Sequence, residues 1–181
     1  MTTVTITITE ALAELKTIGK RIEKKNQSVL NYLMRSEDKR DPLEKQGGSA
    51  QFVAQELQSI SDLQERVVSI RRAIQVANES NRITVGKSSR SIADWLVWRR
   101  EVAPLKNALL TNIRQAIDTQ RRQTMQRGAS MQAVVSEAKP GDIIVNLDER
   151  KLVEDAEDLE NTLGTLDGQL SLKNATVTIE V

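Results

Sequence analysis

The chain contains no cysteine and no histidine in its 181 residues. Without cysteine there is no disulfide, no thiolate metal site and no cysteine nucleophile. Without histidine the commonest metal ligand and the commonest acid–base group near neutral pH are missing too. Aromatics are almost as scarce, since Tyr32, Phe52, Trp95 and Trp98 are the whole set. A core must therefore be built from Leu, Ile, Val and Ala, which suits helix-on-helix seams better than an aromatic-lined pocket. No apolar run approaches the ~20 residues that span a bilayer. The opening Met1-Thr-Thr-Val-Thr5 has neither the basic nor the apolar region of a secretory signal. No membrane partner is expected. The Asn-x-Ser/Thr triplets at Asn26, Asn78 and Asn174 are read as chance matches.

What is present is a globular or coiled-coil composition, 39% hydrophobic and 28% charged. The net charge of +1 is unevenly distributed. From Asp148 onward there are 9 acidic and 3 basic residues, a net of −6, against +7 over the preceding residues. Such polarity guides head-to-tail association or packing of the last helix on the rest; solvated faces on separate helices explain it equally well.

Periodicity gives the organisation. Val4, Ile6 and Ile8 alternate with threonines, the pattern of a short strand with one apolar face, assigned to 1–9. Thr7 and Glu10 have capping-box spacing, so a helix is expected over 10–34. Its seam is read as Leu12, Leu15, Gly19, Ile22, Asn26, Val29 and Leu33, widened by Ile18 and Leu30, with Gly19 permitting close approach and Asn26 either fixing register or lying at the edge. Asp41-Pro42 and Gly47-Gly48 break the chain. A second helix over 49–80, a rod of about 45 Å, carries Val53, Leu57, Ile60, Leu63, Val67, Ile70, Ile74 and Ala77 on one stripe. The two helices form an antiparallel hairpin. Arg82-Ile-Thr-Val85 reads as a short strand, followed by Gly86 and a Ser-rich turn. Ser91 caps a third helix over 91–127, kinked where Pro104 removes a backbone donor and crowds the Arg100 carbonyl. A loop over 128–142 turns at Pro140-Gly141, Ile143-Ile-Val145 reads as a strand, and Asp148 caps a last helix over 148–173. Residues 175–181 alternate again. The terminal strands pair with each other or add to the sheet edge of a neighbouring subunit. The expected fold is mainly α: one domain over 1–181, a long antiparallel hairpin or bundle of about four helices with a small sheet of terminal and inter-helix strands. Leu12, Leu15, Ile22, Val53, Leu57, Ile60, Leu159 and Leu163 are the candidate core.

Motifs that carry chemistry are weak. Gly86-Lys87-Ser88 resembles the end of a phosphate-binding loop, but the glycine required five residues earlier is Asn81. Glu154, Asp155, Glu157, Asp158 and Glu160 crowd the last helix, a pattern more typical of a solvated face than of a cation site. No serine has a base beside it in a convincing setting, so no catalytic, cofactor or metal-ligating residue is assigned. The doublets Arg71-Arg72 and Arg99-Arg100 support an alternative, an oligomeric module holding a small anion such as a nucleotide in arginine-lined inter-helix pockets. Acids are interspersed among these bases and no nucleic-acid reading element is present, so no specific nucleic-acid partner is expected. Trp95 and Trp98 are either interface anchors or the capping end of a core.

The order of Glu10-Ala-Leu-Ala-Glu-Leu15, Lys20-Arg-Ile22, Ile74-Gln-Val-Ala-Asn78 with Asn81, Ser91-Ile-Ala-Asp-Trp-Leu96 and Asp167-Gly-Gln-Leu-Ser-Leu-Lys-Asn174 resembles a family of uncharacterised bacterial and phage-encoded helical proteins. The Thr-rich terminal strands depart from that pattern. The resemblance implies a helical hairpin and brings no activity and no functional residues. Together with rigid rods ending in strands, it suggests a non-enzymatic structural or assembly subunit, with a bacteriophage virion as one setting. Such a subunit self-associates into a homo-oligomer or larger assembly through helix seams and β-edges, with Val4, Ile6, Ile8, Trp95, Trp98, Val177 and Ile179 as interface candidates. The cytoplasm is the expected location (the host cytoplasm or a virion if the chain is phage-encoded), and no cofactor is expected.

Overall fold

The computed structural model describes residues 4–131 and 143–181. These residues are mostly helical, with four main helices and two small two-stranded sheets among them. Internal contacts divide the chain into two compact units, where one domain over 1–181 is the expectation from sequence. One unit comprises Met1–Asn81 with Leu170–Val181, the other Arg82–Gln169.

The first unit begins with β1 (Thr5–Thr7) and α1 (Ile8–Tyr32). The capping box forms as its spacing predicts. Glu10 N–H donates to Thr7 Oγ1 at 3.2 Å, and Thr7 N–H donates to Glu10 Oε2 at 2.7 Å. Helix α2 (Ser49–Ser80) runs antiparallel to α1: Glu14 meets Arg66, Lys25 meets Glu56 and Tyr32 meets Phe52, so one number falls as the other rises. Burial comes from Ile8, Ala11, Leu15, Ile18, Ile70, Ile74, Ala77 and Ile179.

This corrects the α1 seam by one position. The buried or half-buried face is Ile8, Ala11, Leu15, Ile18, Ile22, Lys25, Val29 and Tyr32, whereas Leu12, Gly19, Asn26 and Leu33 are exposed. Asn26 therefore sets no register, and nothing lies within 4 Å of a Cβ at Gly19, so no close approach occurs there. On α2 the expected stripe holds except at Leu57, which is 51% exposed. Glu56 takes the neighbouring seam position to reach Lys25 Nζ at 3.0 Å, and Leu57 turns outward.

The start of α2 is capped from a distance. Its N-cap residue is Gly48, which has no side chain to offer. Asp41 supplies the missing acceptor, taking the Ser49 hydroxyl at 2.6 Å, the Ser49 amide at 2.9 Å and the Leu43 amide at 2.9 Å. The loop returns the chain to that carboxylate through Gly47 and Gly48 at φ 97° and 89°, a region glycine occupies without penalty. These hydrogen bonds, the Ser49 hydroxyl foremost, hold the Asp41 carboxyl at about 2 against an ordinary 3.8. A folded value below the unfolded one means that the stabilisation is complete above 3.8 and is lost as pH falls towards 2. Asp41→Asn is expected to lower the thermal midpoint near neutral pH, and the gap from wild type should narrow across that acid range. A gap independent of pH in parallel melts would contradict the cap.

The chain ends pair within the molecule. β1 lies antiparallel to β4 (Thr178–Glu180) with Ile6 opposite Ile179, and Val4 and Val181 exchange both backbone hydrogen bonds at 3.0 Å. Ile8 N–H, an orphan donor at the start of α1, donates to Val177 O at 3.1 Å.

The second unit opens with a hairpin, β2 (Arg82–Val85) and β3 (Ser88–Ser91), joined at Gly86-Lys87. The expected Ser-rich turn is thus a strand, and the turn is two residues long. Gly86 has φ 57° and, among the described residues, no non-glycine residue has positive φ, which fits a hairpin turn needing that region only at its first central position. Ser91 caps α3 (Ile92–Val97) by accepting Asp94 N–H at 3.0 Å. A single π-turn, Trp98–Val102, then leads into α4 (Ala103–Met131). Ala103 N–H donates to the Trp98 carbonyl five residues back. The wider turn immediately precedes Pro104, at the place where the ring would crowd a regular helical turn. Helix α4 runs beyond 127 to Met131; the expected turn at Pro140-Gly141 lies outside the described residues. Ile143–Val145 pairs with no strand among the described residues, contrary to expectation, and Ile144 is 84% exposed. Asp148 caps α5 (Glu149–Thr176), accepting Arg150 N–H at 2.9 Å. Residues of α5 up to Gln169 belong to this unit.

Candidate interaction surface

The predicted interface residues divide by burial. Ile8 and Ile179 are core residues of the first unit, Ile6 and Val177 pack against that core, and Val4 is exposed. The strand interface foreseen from the alternating termini is therefore satisfied inside one chain. Trp95, at 3% exposed, is core of the second unit rather than an interface anchor. Its Nε1–H donates to the Ile83 carbonyl at 3.0 Å, and the Arg90 guanidinium lies 5.2 Å from its ring centroid. Trp98 meets it edge to face at 5.4 Å and is half-buried.

The arginines foreseen as anion contacts are exposed and, in part, already engaged. Arg71 and Arg72 lie on α2 in the first unit; Arg99 and Arg100 lie in the second. Arg99 pairs with Asp167 at 3.1 Å and Arg100 with its neighbour Glu101 at 2.8 Å. Among the described residues no group of three or more Asp or Glu is placed to hold a metal ion, the α5 acids included. No described helix is long and apolar enough to cross a membrane.

Carboxyls with clearly lowered pKa values, among the described residues, serve helix starts. Thr7 lowers Glu10 through its amide first and its hydroxyl second, Ser49 lowers Asp41, and the Ser91 hydroxyl lowers Asp94. These shifts follow from capping, which needs no substrate.

What remains unpartnered is apolar helix surface. On α4, Leu105 and Leu109 are 72% and 59% exposed and share a face with Val102. On α2, Val68 and Val76 are exposed beside a groove of about 720 Å³ that runs along β4. A second groove, about 670 Å³, lies between α4 and α5. Ion pairs at its flanks, Arg99 with Asp167 and Arg121 with Glu149, make these helices antiparallel. Leu110 and Ile117 from α4, and Leu152, Leu159 and Leu163 from α5, line it. Leu159 is buried and the other four are only half-buried. The core candidates Leu159 and Leu163 therefore face α4 across the groove. The α4 residues that meet it are Leu110, Arg114 and Ile117, with Leu109 turned outward. A seam with arginine at a central position cannot close as an all-leucine seam would, and the groove is the result.

No family model matches the chain, and no curated protein does. A solved structure of similar fold is that of a functionally unknown conserved protein from Corynebacterium diphtheriae, with 18% identity and a TM-score of 0.56. The match covers 97% of this chain and 99% of that one, so the likeness extends over the whole described architecture and concerns the fold alone.

Proposed function

We propose that this chain is a structural or assembly subunit that acts by binding other protein chains and performs no chemistry of its own. The observation that carries this reading is the apolar surface left without a partner, above all Leu105 and Leu109 on α4 and the half-buried leucines along the α4–α5 groove. Surface leucines scattered singly need no explanation, but a helix face repeating them beside an open apolar groove is what protein–protein contacts use. The outer edge of β4 adds a second means of attachment. Because Val4 and Val181 bond to each other, the alternating ladder turns the backbone groups of Thr178 and Glu180 away from β1. A virion is one setting for such a subunit, and capsid or tail genes beside its own would place it there.

Light scattering over a dilution series tests the proposal. The expected result is a molar mass that rises with concentration to a multiple of 20.2 kDa. A fixed mass of one chain at every concentration, with no co-purifying protein from the source, would contradict it.

A further inference from the structure

We infer that the α4–α5 groove is closed by the same groove of a second copy, giving a two-fold four-helix bundle. The inference rests on the assembly reading above and names its partner and its site.

The charges decide the pairing. The α4 wall carries Arg114, Asp118 and Arg121, whereas the α5 wall carries Glu149, Glu157 and Glu160 and no base. Arg121 and Glu149 are joined within the chain. Arg114 and Glu157 have no ion-pair partner among the described residues, and both are exposed. The two antiparallel helices face a second pair across an axis that runs parallel to them, along the groove. Such an axis sets α4 of each copy over α5 of the other, at the same height and antiparallel to it. An axis perpendicular to the helices and in the plane of the pair would instead set α4 on α4 and α5 on α5, and the second contact would face acid with acid, because the α5 wall has no base to answer Glu157 and Glu160. Interpolating between the Arg99–Asp167 and Arg121–Glu149 pairs puts Arg114 level with the turn of α5 that ends at Glu157. In the favoured arrangement Arg114 of one copy therefore meets Glu157 of the other, twice over by symmetry.

The area suits a reversible dimer. The groove lining runs from Asn107 to Arg121 on α4 and from Glu149 to Leu163 on α5, about 21 Å at ~1.5 Å per residue, and two helices side by side are about 20 Å wide. That makes about 420 Å² per copy, the size of a weak, concentration-dependent contact rather than of a permanent one. Leu110, Ile117, Leu152 and Leu163 are half-buried within it, as the centre of an interface requires before its partner arrives.

Sedimentation of charge-reversal variants of the full chain tests this. Arg114→Glu and Glu157→Arg should each weaken self-association about tenfold or more, the scale of a broken interfacial charge pair. The double variant should restore it. Arg72→Glu, on α2, should leave it unchanged, and all four should keep wild-type helicity by circular dichroism. Self-association insensitive to both reversals, or not restored by the double variant, would overturn the groove assignment while leaving the assembly reading standing. A wild-type chain that never associates would overturn both.

Discussion

Ile70→Asp is expected to leave the first unit unfolded, whereas Leu57→Asp should cost only about 1 kcal/mol. Both positions belong to the same apolar stripe of α2 when only the sequence is considered. Ile70 is 0% exposed and packs among Ile8, Ala11, Leu15 and Ile74. The cation one turn away, Arg66, is already paired with Glu14 at 2.9 Å, and an uncompensated buried charge costs several kcal/mol. Set against a total stability of roughly 5–15 kcal/mol, that loss is decisive. Leu57 is half in water already, so aspartate removes little burial there. Far-ultraviolet circular dichroism melts of both variants check this. Collapse of Leu57→Asp together with a folded Ile70→Asp would show that the helices meet through the other seam.

Trp95→Ala should destabilise the second unit by about 3–5 kcal/mol, the range for deleting a large buried aromatic. The loss has three parts here: the buried indole surface, the hydrogen bond to Ile83 O, and the edge-to-face contact with Trp98. The Ile83 carbonyl is then left on the β2–β3 hairpin without its side-chain donor. Since Trp95 and Trp98 are the only tryptophans, the variant retains one fluorophore in the same unit to report the transition. A shift to lower denaturant concentration in Trp98 emission is the expected result. Unchanged stability accompanied by reduced self-association would return Trp95 to the role of interface anchor.

Helical periodicity states clearly that a segment is a helix, and less clearly which way it faces. Helix α1 carries two seams one residue apart, Ala11, Ile18, Lys25 and Tyr32 against Leu12, Gly19, Asn26 and Leu33. Its own residues do not choose between them. The choice is made by α2, where Glu56 awaits Lys25, Glu14 finds Arg66 and Phe52 meets Tyr32. On α4 the neighbours Leu109 and Leu110 pose the same choice, and it falls to Leu110 because the partner of Leu110 and Ile117 is α5, far away in the chain. Local signals fared better. The Thr7–Glu10 capping box, the Ser91 and Asp148 caps and the breakers at Asp41-Pro42 and Gly47-Gly48 all stand where their spacing puts them. Helix α2 has the expected limits, Ser49–Ser80.

The errors among strands have one cause. Ser88–Ser91 lacks β-branched residues, yet the Gly86 turn folds it onto β2; Ile143–Val145 has the right residues and pairs with no strand among the described residues. Strand formation is decided by the neighbour as much as by propensity. Asp41 capping α2 from eight residues upstream was likewise invisible, since no short-range spacing rule describes it. For the groove, the signal lay in Arg114 interrupting an apolar repeat, which marks a seam that two helices alone do not close.

Amide hydrogen exchange measured at a low and a high protein concentration tests the central claim most directly, because it shows both whether the helix faces meet another chain and where. Slower exchange at high concentration across the middle of α4 and α5, with α1 unchanged, is the predicted result. Superimposable profiles at the two concentrations would contradict it, leaving the leucines of α4 as plain solvated surface.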